Sequence, residues 1–314
     1  MQTCTLTAPA KVNFYIEILG DRPDGFHELA MVMQSVELAD LVTITPGTRG
    51  DIQVRCDHPL VPDDPSNLAY RAADLMRQTF PNAFEQYGGV EVTLEKHIPV
   101  GAGLAGGSAN AAAVLVGLDL LWQQGLTQQE LQTLGAKLGS DVPFCISGGT
   151  ALATGRGERL SPLPSFGPLY LVLAKHRQLS VSTAWAYQTY RQQFGDTYIS
   201  EAQAVEDRHS QIHAAPLIAA LMQRDTTALG EQLYNDLEKV VLPAHAAVVQ
   251  LKAALEAQNP LGVLMSGSGP TVFALAASAE EAQRVAEGAH GALGDPEIEF
   301  WITRGSPAGA QLLS

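Results

Sequence analysis

Hydrophobic and polar residues alternate in three segments of the first half of the chain. Because successive side chains of a strand point to opposite faces, this pattern predicts half-buried strands over residues 41–45, 51–57 and 89–96. An amphipathic pattern over residues 67–79, introduced by the turn-rich sequence DDPSN, predicts a helix between the second and third strands. The first half is therefore expected to mix helices and strands.

Two further helices are predicted after this mixed region. Residues 108–122 are apolar on nearly every side, which is typical of a helix that is buried all round. Residues 127–138 form the second predicted helix, with Thr127 as the N-cap, Glu130 as its capping-box partner and Gly139 as the stop. The first of the two is expected to be the central helix of the fold.

A proline-rich segment divides the chain. The sequence LSPLPSFGP at residues 160–168 shows little helical or strand pattern, so we place the domain boundary there, between domains at 1–162 and 169–300. The second half then begins with a predicted strand at 169–174. Helical patterns follow at residues 182–194, 216–222, 227–235, 244–258 and 280–290. The expected fold class is α+β in two domains.

Composition and charge limit the classes of protein to which this chain could belong. The chain has 314 residues and a net charge of −14, and its 19 lysines and arginines are scattered, so a nucleic-acid partner is not expected. The three cysteines, Cys4, Cys56 and Cys145, form no CxxC pair, which argues against a disulfide framework or a zinc site and favours a reducing cytoplasm. We find no export signal and no apolar run long enough for a membrane span.

The glycine-rich sequence PVGAGLAGGSANAAA fits two phosphate-binding patterns imperfectly. Gly101, Gly103 and Gly106 spell GxGxxG, but a dinucleotide fold needs a second strand with an acidic residue after the helix, and here another helix follows. In the P-loop frame GxxxxGK[ST], Gly107 occupies the lysine position. A third possibility is that the glycines only permit close helix packing.

The remaining interpretation is a wide loop that binds phosphates through its backbone. N–H groups and the positive end of a helix dipole can hold a polyphosphate without a lysine in the loop. Ser108 is either a ligand of Mg²⁺ or a helix-capping serine, and both remain open. Any cation that reaches the terminal phosphate must then come from elsewhere in the chain.

This motif resembles the central ATP-binding motif of the GHMP kinases, the family named for galactokinase, homoserine kinase, mevalonate kinase and phosphomevalonate kinase. Two other motifs follow the family's order, APAKVNFYIEILGDRPDGFHEL near the start and MSGSGPTVFAL near the end. The resemblance implies a mixed-sheet N-terminal ATP-binding domain and an α+β ferredoxin-like C-terminal domain, with the active site between them. It also implies that ATP phosphorylates a small alcohol and that Mg²⁺ takes part.

The resemblance implies a set of nucleotide contacts, with two residues near adenine and a loop around the phosphates. Without it, Asn67 would be a helix cap and Lys96 the end of a strand. The implied contacts are Asn67, Lys96, Pro99, Val100, Gly101, Ala102, Gly103, Leu104, Ala105, Gly106, Gly107, Ser108 and Ala109.

The same resemblance implies a catalytic pair. Asp141, in GSDVPF, would be the general base, and Lys11, in PAKVN, would lie beside it. Taken alone, Asp141 is a typical turn residue and Lys11 a typical surface group.

Within the family, the combination with RPDGFHEL and SVSTAWAY is similar to the branch that acts on a cytidine diphosphate-linked methylerythritol. This implies that Phe26 and His27 bind cytosine, that Thr183 and Tyr187 face it from one helix, and that Asn13 lies near the acceptor hydroxyls. The family usually has tyrosine at the position of Phe26, so one hydroxyl is missing here.

Three alternatives remain open. The acceptor could be another alcohol such as homoserine or mevalonate, or the chain could be a ligand-binding relative without catalysis. The turn at residues 266–269 either closes the site or is only a tight connection between strands. We expect a monomer or a weak dimer.

Overall fold

The structure, a computed structural model, describes residues 3–47, 50–213 and 215–313. Residues 1–2 and 48–49 of the first predicted domain, and residue 214 of the second, lie outside the described residues. The strands are β1 (Cys4–Asp21), β2 (His27–Gly47), β3 (Ile52–Cys56), β4 (Gly89–Glu95), β5 (Thr150–Gly155), β6 (Arg159–Leu163), β7 (Tyr170–His176), β8 (Tyr234–Asn235), β9 (Gly262–Met265), β10 (Val272–Ala276), β11 (Ile298–Arg304) and β12 (Gln311–Leu312).

Helices lie between groups of these strands along the chain. They are α1 (Leu68–Thr79), α2 (Pro81–Tyr87), α3 (Gly106–Trp122), α4 (Gln128–Gly135), α5 (Val142–Ser147), α6 (Thr183–Phe194), α7 (Ala202–His213), α8 (Pro216–Gln223), α9 (Thr226–Glu231), α10 (Glu238–Ala244), α11 (Ala246–Glu256) and α12 (Ala279–Leu293). Among the described residues, none of these helices is both long and apolar enough to cross a membrane.

The larger sheet is built around β2. This strand pairs antiparallel with β1, then with β5 through residues 29–34 and with β4 through residues 41–47. The pair β3–β4 is parallel, and β6 and β12 extend the sheet as antiparallel neighbours of β5 and β1. The short strand β8 adds to β1 in parallel, which brings a segment of the second half of the chain against the first strand.

The smaller sheet has the order β11-β7-β10-β9 and is antiparallel throughout. Helices follow its first strand β7, the pair β9–β10 is joined by a short turn, and α12 precedes β11. This is the βαββαβ order of a ferredoxin-like domain, as expected.

The central helix α3 packs against α1, β1 and β2. It is buried nearly all round, as its sequence predicts. A Cβ atom at Gly117 would lie 2.5 Å from Ile44 Cδ1 and 2.8 Å from Leu6 Cδ1, so this glycine lets the helix lie close to the sheet. The beginning of α3 is thereby fixed relative to β1 and β2.

Most of the predicted elements are confirmed, with the capping box of Thr127 and Glu130 formed as expected. Three predictions need correction. Residues 160–163 belong to β6 rather than to an unstructured linker, and Pro162 is tolerated there because β6 pairs on one side, with β5. The predicted helix 227–235 ends at Glu231, since residues 234–235 pair with β1. The predicted helix 127–138 ends at Gly135 and continues as turns to residue 138.

The first strand and the first half of the second strand give no alternating pattern. Both are buried on two faces over most of their length, so apolar residues occupy nearly every position. The pattern therefore revealed only the half-buried end of β2, over residues 41–45.

Candidate active site

A cavity of about 920 Å³ is bounded by elements of both halves of the molecule. Strands β1 and β2, the loop before α3, helix α6 and the turn between β9 and β10 contribute to its walls. The predicted site residues that line it are Lys11, Asn13, Phe26, His27, Asn67, Lys96, Pro99, Val100, Gly101, Ala102, Gly103, Leu104, Ala105, Gly106, Gly107, Ser108, Asp141, Thr183 and Tyr187.

Ala109 is the one predicted site residue that does not line this cavity. Its side chain is fully buried in the core, and its N–H donates to the carbonyl of Ala105 at 2.9 Å within the helix. The methyl group is therefore buried and the backbone N–H already paired, and the part of this segment that lines the cavity ends at Ser108.

The loop at residues 99–105 leads directly into the N-terminus of α3. The N-cap residue Ala105 has a φ of 58° and no side chain caps the helix, so the positive end of the helix dipole faces the cavity. A Cβ atom at Gly103 would lie 2.4 Å from the carbonyl oxygen of Ser266, so glycine is required for this close approach. The carbonyl of Leu104 accepts a hydrogen bond from the Lys11 N–H at 3.2 Å, which ties the loop to β1.

Lys11 and Asp141 lie side by side in the cavity. The distance from Lys11 Nζ to Asp141 Oδ2 is 3.6 Å, and the same ammonium group donates to Asn13 Oδ1 at 2.7 Å. The lysine is buried, whereas the aspartate side chain remains 30% exposed. Asp141 stands at the N-terminus of α5, but its carboxylate caps no N–H group. The carboxylate is therefore oriented by the lysine and accessible to a ligand.

Three aromatic side chains, Phe26, His27 and Tyr187, line the cavity on the side of β2, and we call them the aromatic wall. The His27 and Tyr187 rings are 5.1 Å apart at an interplanar angle of 35°, and Tyr198 packs edge-on against His27 at 5.8 Å. Phe26 is 48% exposed, and the Arg156 guanidinium carbon lies 4.9 Å from the centroid of its ring. A planar, uncharged heterocycle fits such a surface, since aromatic faces stack on it.

Burial shifts the pKa values of two residues in this wall. Desolvation, followed by the positive charge of Arg191, lowers the pKa of His27, although the carboxylate of Asp21 opposes the shift. Desolvation, followed by the negative charge of Asp141, raises the pKa of Tyr187. At neutral pH the wall therefore presents a neutral imidazole and a neutral phenol.

The two residues expected near adenine already have partners in the protein. Asn67 caps α1, with its Oδ1 accepting from the Ala69 N–H at 2.8 Å and its Nδ2 donating to the Pro62 carbonyl at 2.6 Å. Lys96 forms a buried ion pair with Asp40. Both line the cavity, but their polar groups first hold the surrounding backbone in place.

The Asp40 carboxylate is the centre of a buried polar cluster beside the start of α3. The side chain is completely buried and accepts hydrogen bonds from the N–H groups of His97 and Ile98 at 2.8 Å each, as well as from Asn110 Nδ2 at 2.8 Å. With Lys96 as a fourth donor, this cluster fixes the chain immediately before the glycine loop. Sequence reasoning missed Asp40, because an isolated acidic residue in an apolar strand carries no signal of its own.

The turn at residues 266–269 fits both earlier interpretations. It connects β9 to β10, and it also contacts the glycine loop, because Ser266 Oγ donates to the Gly103 carbonyl at 3.2 Å. The hydroxyls of Ser268 and Thr183 are 2.9 Å apart. The turn is thus a tight strand connection that also closes one side of the cavity.

Two arginines that sequence reasoning missed line the cavity, Arg156 and Arg191. Arg191 Nε donates to Asp21 Oδ1 at 2.7 Å and Nη2 to the Gly25 carbonyl at 3.2 Å, so α6 holds the loop that carries Phe26. Its position four residues after Tyr187, on the same helix face, was the signal that could have identified it.

Comparisons with known proteins show which family this chain resembles. The sequence profile described as "GHMP kinases N terminal domain" matches residues 67–149, and that described as "GHMP kinases C terminal" matches residues 217–293. The chain is 54% identical, over 99% of both lengths, to the Trichodesmium erythraeum protein named 4-diphosphocytidyl-2-C-methyl-D-erythritol kinase. It is 56% identical, over the full length of both chains, to a protein of the same name from Acaryochloris marina.

A solved structure with a related name is also similar to this chain. The crystal structure described as 4-(cytidine 5'-diphospho)-2C-methyl-D-erythritol kinase is 33% identical to this chain, with a TM-score of 0.73 over 96% of this chain and 99% of that one. The expected two-domain α+β fold is confirmed.

Proposed function

We propose that this chain, which belongs to the GHMP kinase family, transfers the γ-phosphoryl group of ATP to the 2-hydroxyl of 4-diphosphocytidyl-2-C-methyl-D-erythritol. This reaction is a step of the non-mevalonate route to isoprenoid precursors. The observation that carries the proposal is the Lys11–Asp141 pair, 3.6 Å apart, in one cavity with a glycine loop and an aromatic wall. Full-length relatives with that name support the choice of acceptor.

Asp141 acts on the acceptor alcohol. Its accessible carboxylate accepts the proton of the hydroxyl as the acceptor oxygen bonds to the γ-phosphorus, while the bond from that phosphorus to the β,γ-bridging oxygen breaks and ADP leaves with that electron pair. The Lys11 ammonium group orients the carboxylate and offsets negative charge that develops on the transferred group. Asn13, which accepts a hydrogen bond from Lys11, holds the ammonium group in this position.

The glycine loop holds the triphosphate. Its backbone N–H groups and the uncapped start of α3 supply positive potential without a lysine in the loop. Ser108 lines the cavity, so its hydroxyl is an oxygen ligand that is available for Mg²⁺ there. When bound, Mg²⁺ neutralises phosphate charge; Ser108 and the phosphate oxygens would hold it.

The aromatic wall recognises the cytidyl group. Phe26 and Tyr187 offer ring faces for stacking, and His27 provides a neutral imidazole for hydrogen bonding to the base edge. Thr183 stands on the same face of α6 as Tyr187. The wall and the Lys11–Asp141 pair share one cavity, as a long substrate with a base at one end and an alcohol at the other requires.

The domain limits are also proposed, at 1–162 and 169–300. The end of β6 and the start of β7 lie on either side of the connecting segment, which supports them. A cytoplasmic location, a monomer or weak dimer, and the lack of a nucleic-acid partner stay predictions.

An acceptor panel tests the function. Purified protein is incubated with ATP and Mg²⁺ together with the cytidyl substrate, homoserine or mevalonate, and ADP release and the phosphorylated product are measured. We expect turnover with the cytidyl substrate alone. Turnover with only another alcohol, or binding of both substrates without ADP release, would refute the proposal in favour of another acceptor or of a non-catalytic relative.

A further inference from the structure

Asn235 holds the turn at residues 266–269 by its side-chain amide. Its Nδ2 donates to two carbonyl oxygens, those of Met265 and Gly267, at 2.8 Å each, and its Oδ1 accepts from the Leu237 N–H at 2.9 Å. The residue is buried. Both amide donors therefore bind the strand end and the turn.

The segment around Asn235 is anchored on both sides. Its backbone pairs with β1 at Ile16, and Asp236 Oδ2 accepts from the Ile18 N–H at 2.8 Å. Glu238 Oε1 accepts from the Met265 N–H at 2.9 Å. The side chains of Asn235, Asp236 and Glu238 thus hold this short segment against β1 and against β9, the strand that leads into the turn.

The turn lies next to the catalytic pair. A Cβ atom at Gly267 would lie 3.0 Å from the Gly103 carbonyl oxygen, 3.5 Å from Lys11 Nζ and 3.6 Å from Asn13 Oδ1. Gly267 and Ser268 line the cavity, and their backbone N–H groups have no hydrogen-bond partner among the described residues. Two unpaired N–H donors therefore belong to cavity-lining residues of the turn that lies beside the glycine loop and Lys11, where the proposed transfer places the terminal phosphate.

We propose that Asn235 is a positioning residue for phosphoryl transfer. By donating hydrogen bonds to the Met265 and Gly267 carbonyls, it orients the unpaired N–H groups of Gly267 and Ser268 toward the γ-phosphate. This rests on the proposed function. Without the amide, two buried carbonyls lose their donor and the turn loses its attachment to the segment fixed on β1. The turn then moves relative to Lys11 and the glycine loop, and a displacement of about 1 Å is enough to lower the rate markedly.

The chain offers a matched control in Gln34. Its buried side-chain amide also donates to two carbonyl oxygens, those of Ser35 and Ser306, at 2.8 and 3.1 Å, but it does not line the cavity. Asn235→Ala and Gln34→Ala therefore remove equivalent buried hydrogen bonds. Asn235→Leu and Gln34→Met form a second pair, in which an uncharged side chain of similar size removes the donors without leaving a cavity.

The test compares the affinities for a non-hydrolysable ATP analogue, adenylyl imidodiphosphate, and for ADP by titration calorimetry. In Asn235→Ala we expect about 10-fold weaker binding of the analogue with ADP binding within about twofold of wild type, because only the γ-phosphate loses its donors. We also expect kcat to fall about 10- to 100-fold, with the KM for the cytidyl substrate within about threefold. Gln34→Ala should lose stability but change neither the affinity ratio nor kcat.

Equal weakening of both nucleotides, or the same kinetic change in the Gln34 variant, would show that Asn235 only stabilises the fold. If an alanine variant fails to fold, the Leu and Met variants give the same comparison. The nucleotide measurement does not depend on the acceptor, so a wild-type protein that fails to phosphorylate the cytidyl substrate refutes the proposed function and leaves this test intact.

Discussion

Asp141 Oδ2 lies 3.6 Å from the Lys11 ammonium nitrogen, although one residue starts a helix after the central helix and the other belongs to the first strand. The carboxylate is held in place by a buried positive charge and remains open to the cavity. In a phosphoryl transfer, this arrangement aligns a base with the acceptor hydroxyl before the reaction begins.

Asp141→Asn should bind ATP but turn over slowly. The amide keeps the shape of the side chain and cannot accept the hydroxyl proton, and general base catalysis contributes about 10²- to 10⁴-fold. We expect kcat to fall by that factor, while the affinity for adenylyl imidodiphosphate, measured by calorimetry, changes little. A variant with more than half of the wild-type kcat would exclude Asp141 as the base.

Phe26→Ala should weaken binding of the cytidyl substrate. Stacking of a base on an aromatic ring contributes about 1–3 kcal/mol, so we expect the KM for this substrate to rise about 5- to 150-fold. The KM for ATP should be unchanged, because the glycine loop lies elsewhere in the cavity. Phe26→Tyr is the matched control: it retains the ring and should stay within about threefold of wild type. Equal KM values for the Ala and Tyr variants would exclude stacking on this ring.

Asp40→Asn should destabilise the fold strongly. The substitution leaves the buried Lys96 ammonium group without its counter-charge, and breaking a buried pair from one side costs about 3–5 kcal/mol. The double variant Asp40→Asn with Lys96→Met should recover part of this loss, since it removes both charges. Urea unfolding of the wild type, both single variants and the double variant gives the coupling energy. Strictly additive effects would contradict the pairing.

His27 should make stability depend on pH. Burial, reinforced by Arg191, lowers the pKa of His27 below its ordinary value of 6.5, so the unfolded state takes up the proton first as the pH falls. The free energy of unfolding should therefore decrease as the pH falls below about 6.5, until the folded protein is protonated as well. His27→Asn should lack this part of the decrease, in urea unfolding measured between about pH 5 and 8. Parallel pH profiles for the two proteins would contradict the shift.

Local sequence patterns were sufficient to predict most of the individual elements and the chemistry of the motifs. Periodicity and capping residues act over a few positions, so α1, α3, β3, β4 and the N-cap Thr127 could be predicted. The glycine pattern indicated a loop that binds phosphates through its backbone. The order of three motifs then indicated the family, its fold and the candidate site residues.

Which residues meet in the folded protein depends on long-range packing. The strand β1 gave no periodic signal, because both of its faces are buried, and yet it carries Lys11 and Asn13. The Lys11–Asp141 distance, the attachment of the 266–269 turn by Asn235 and the pairing of Lys96 with Asp40 join residues that are distant along the chain. Such contacts depend on strand register and on the packing of whole elements, which no local pattern encodes.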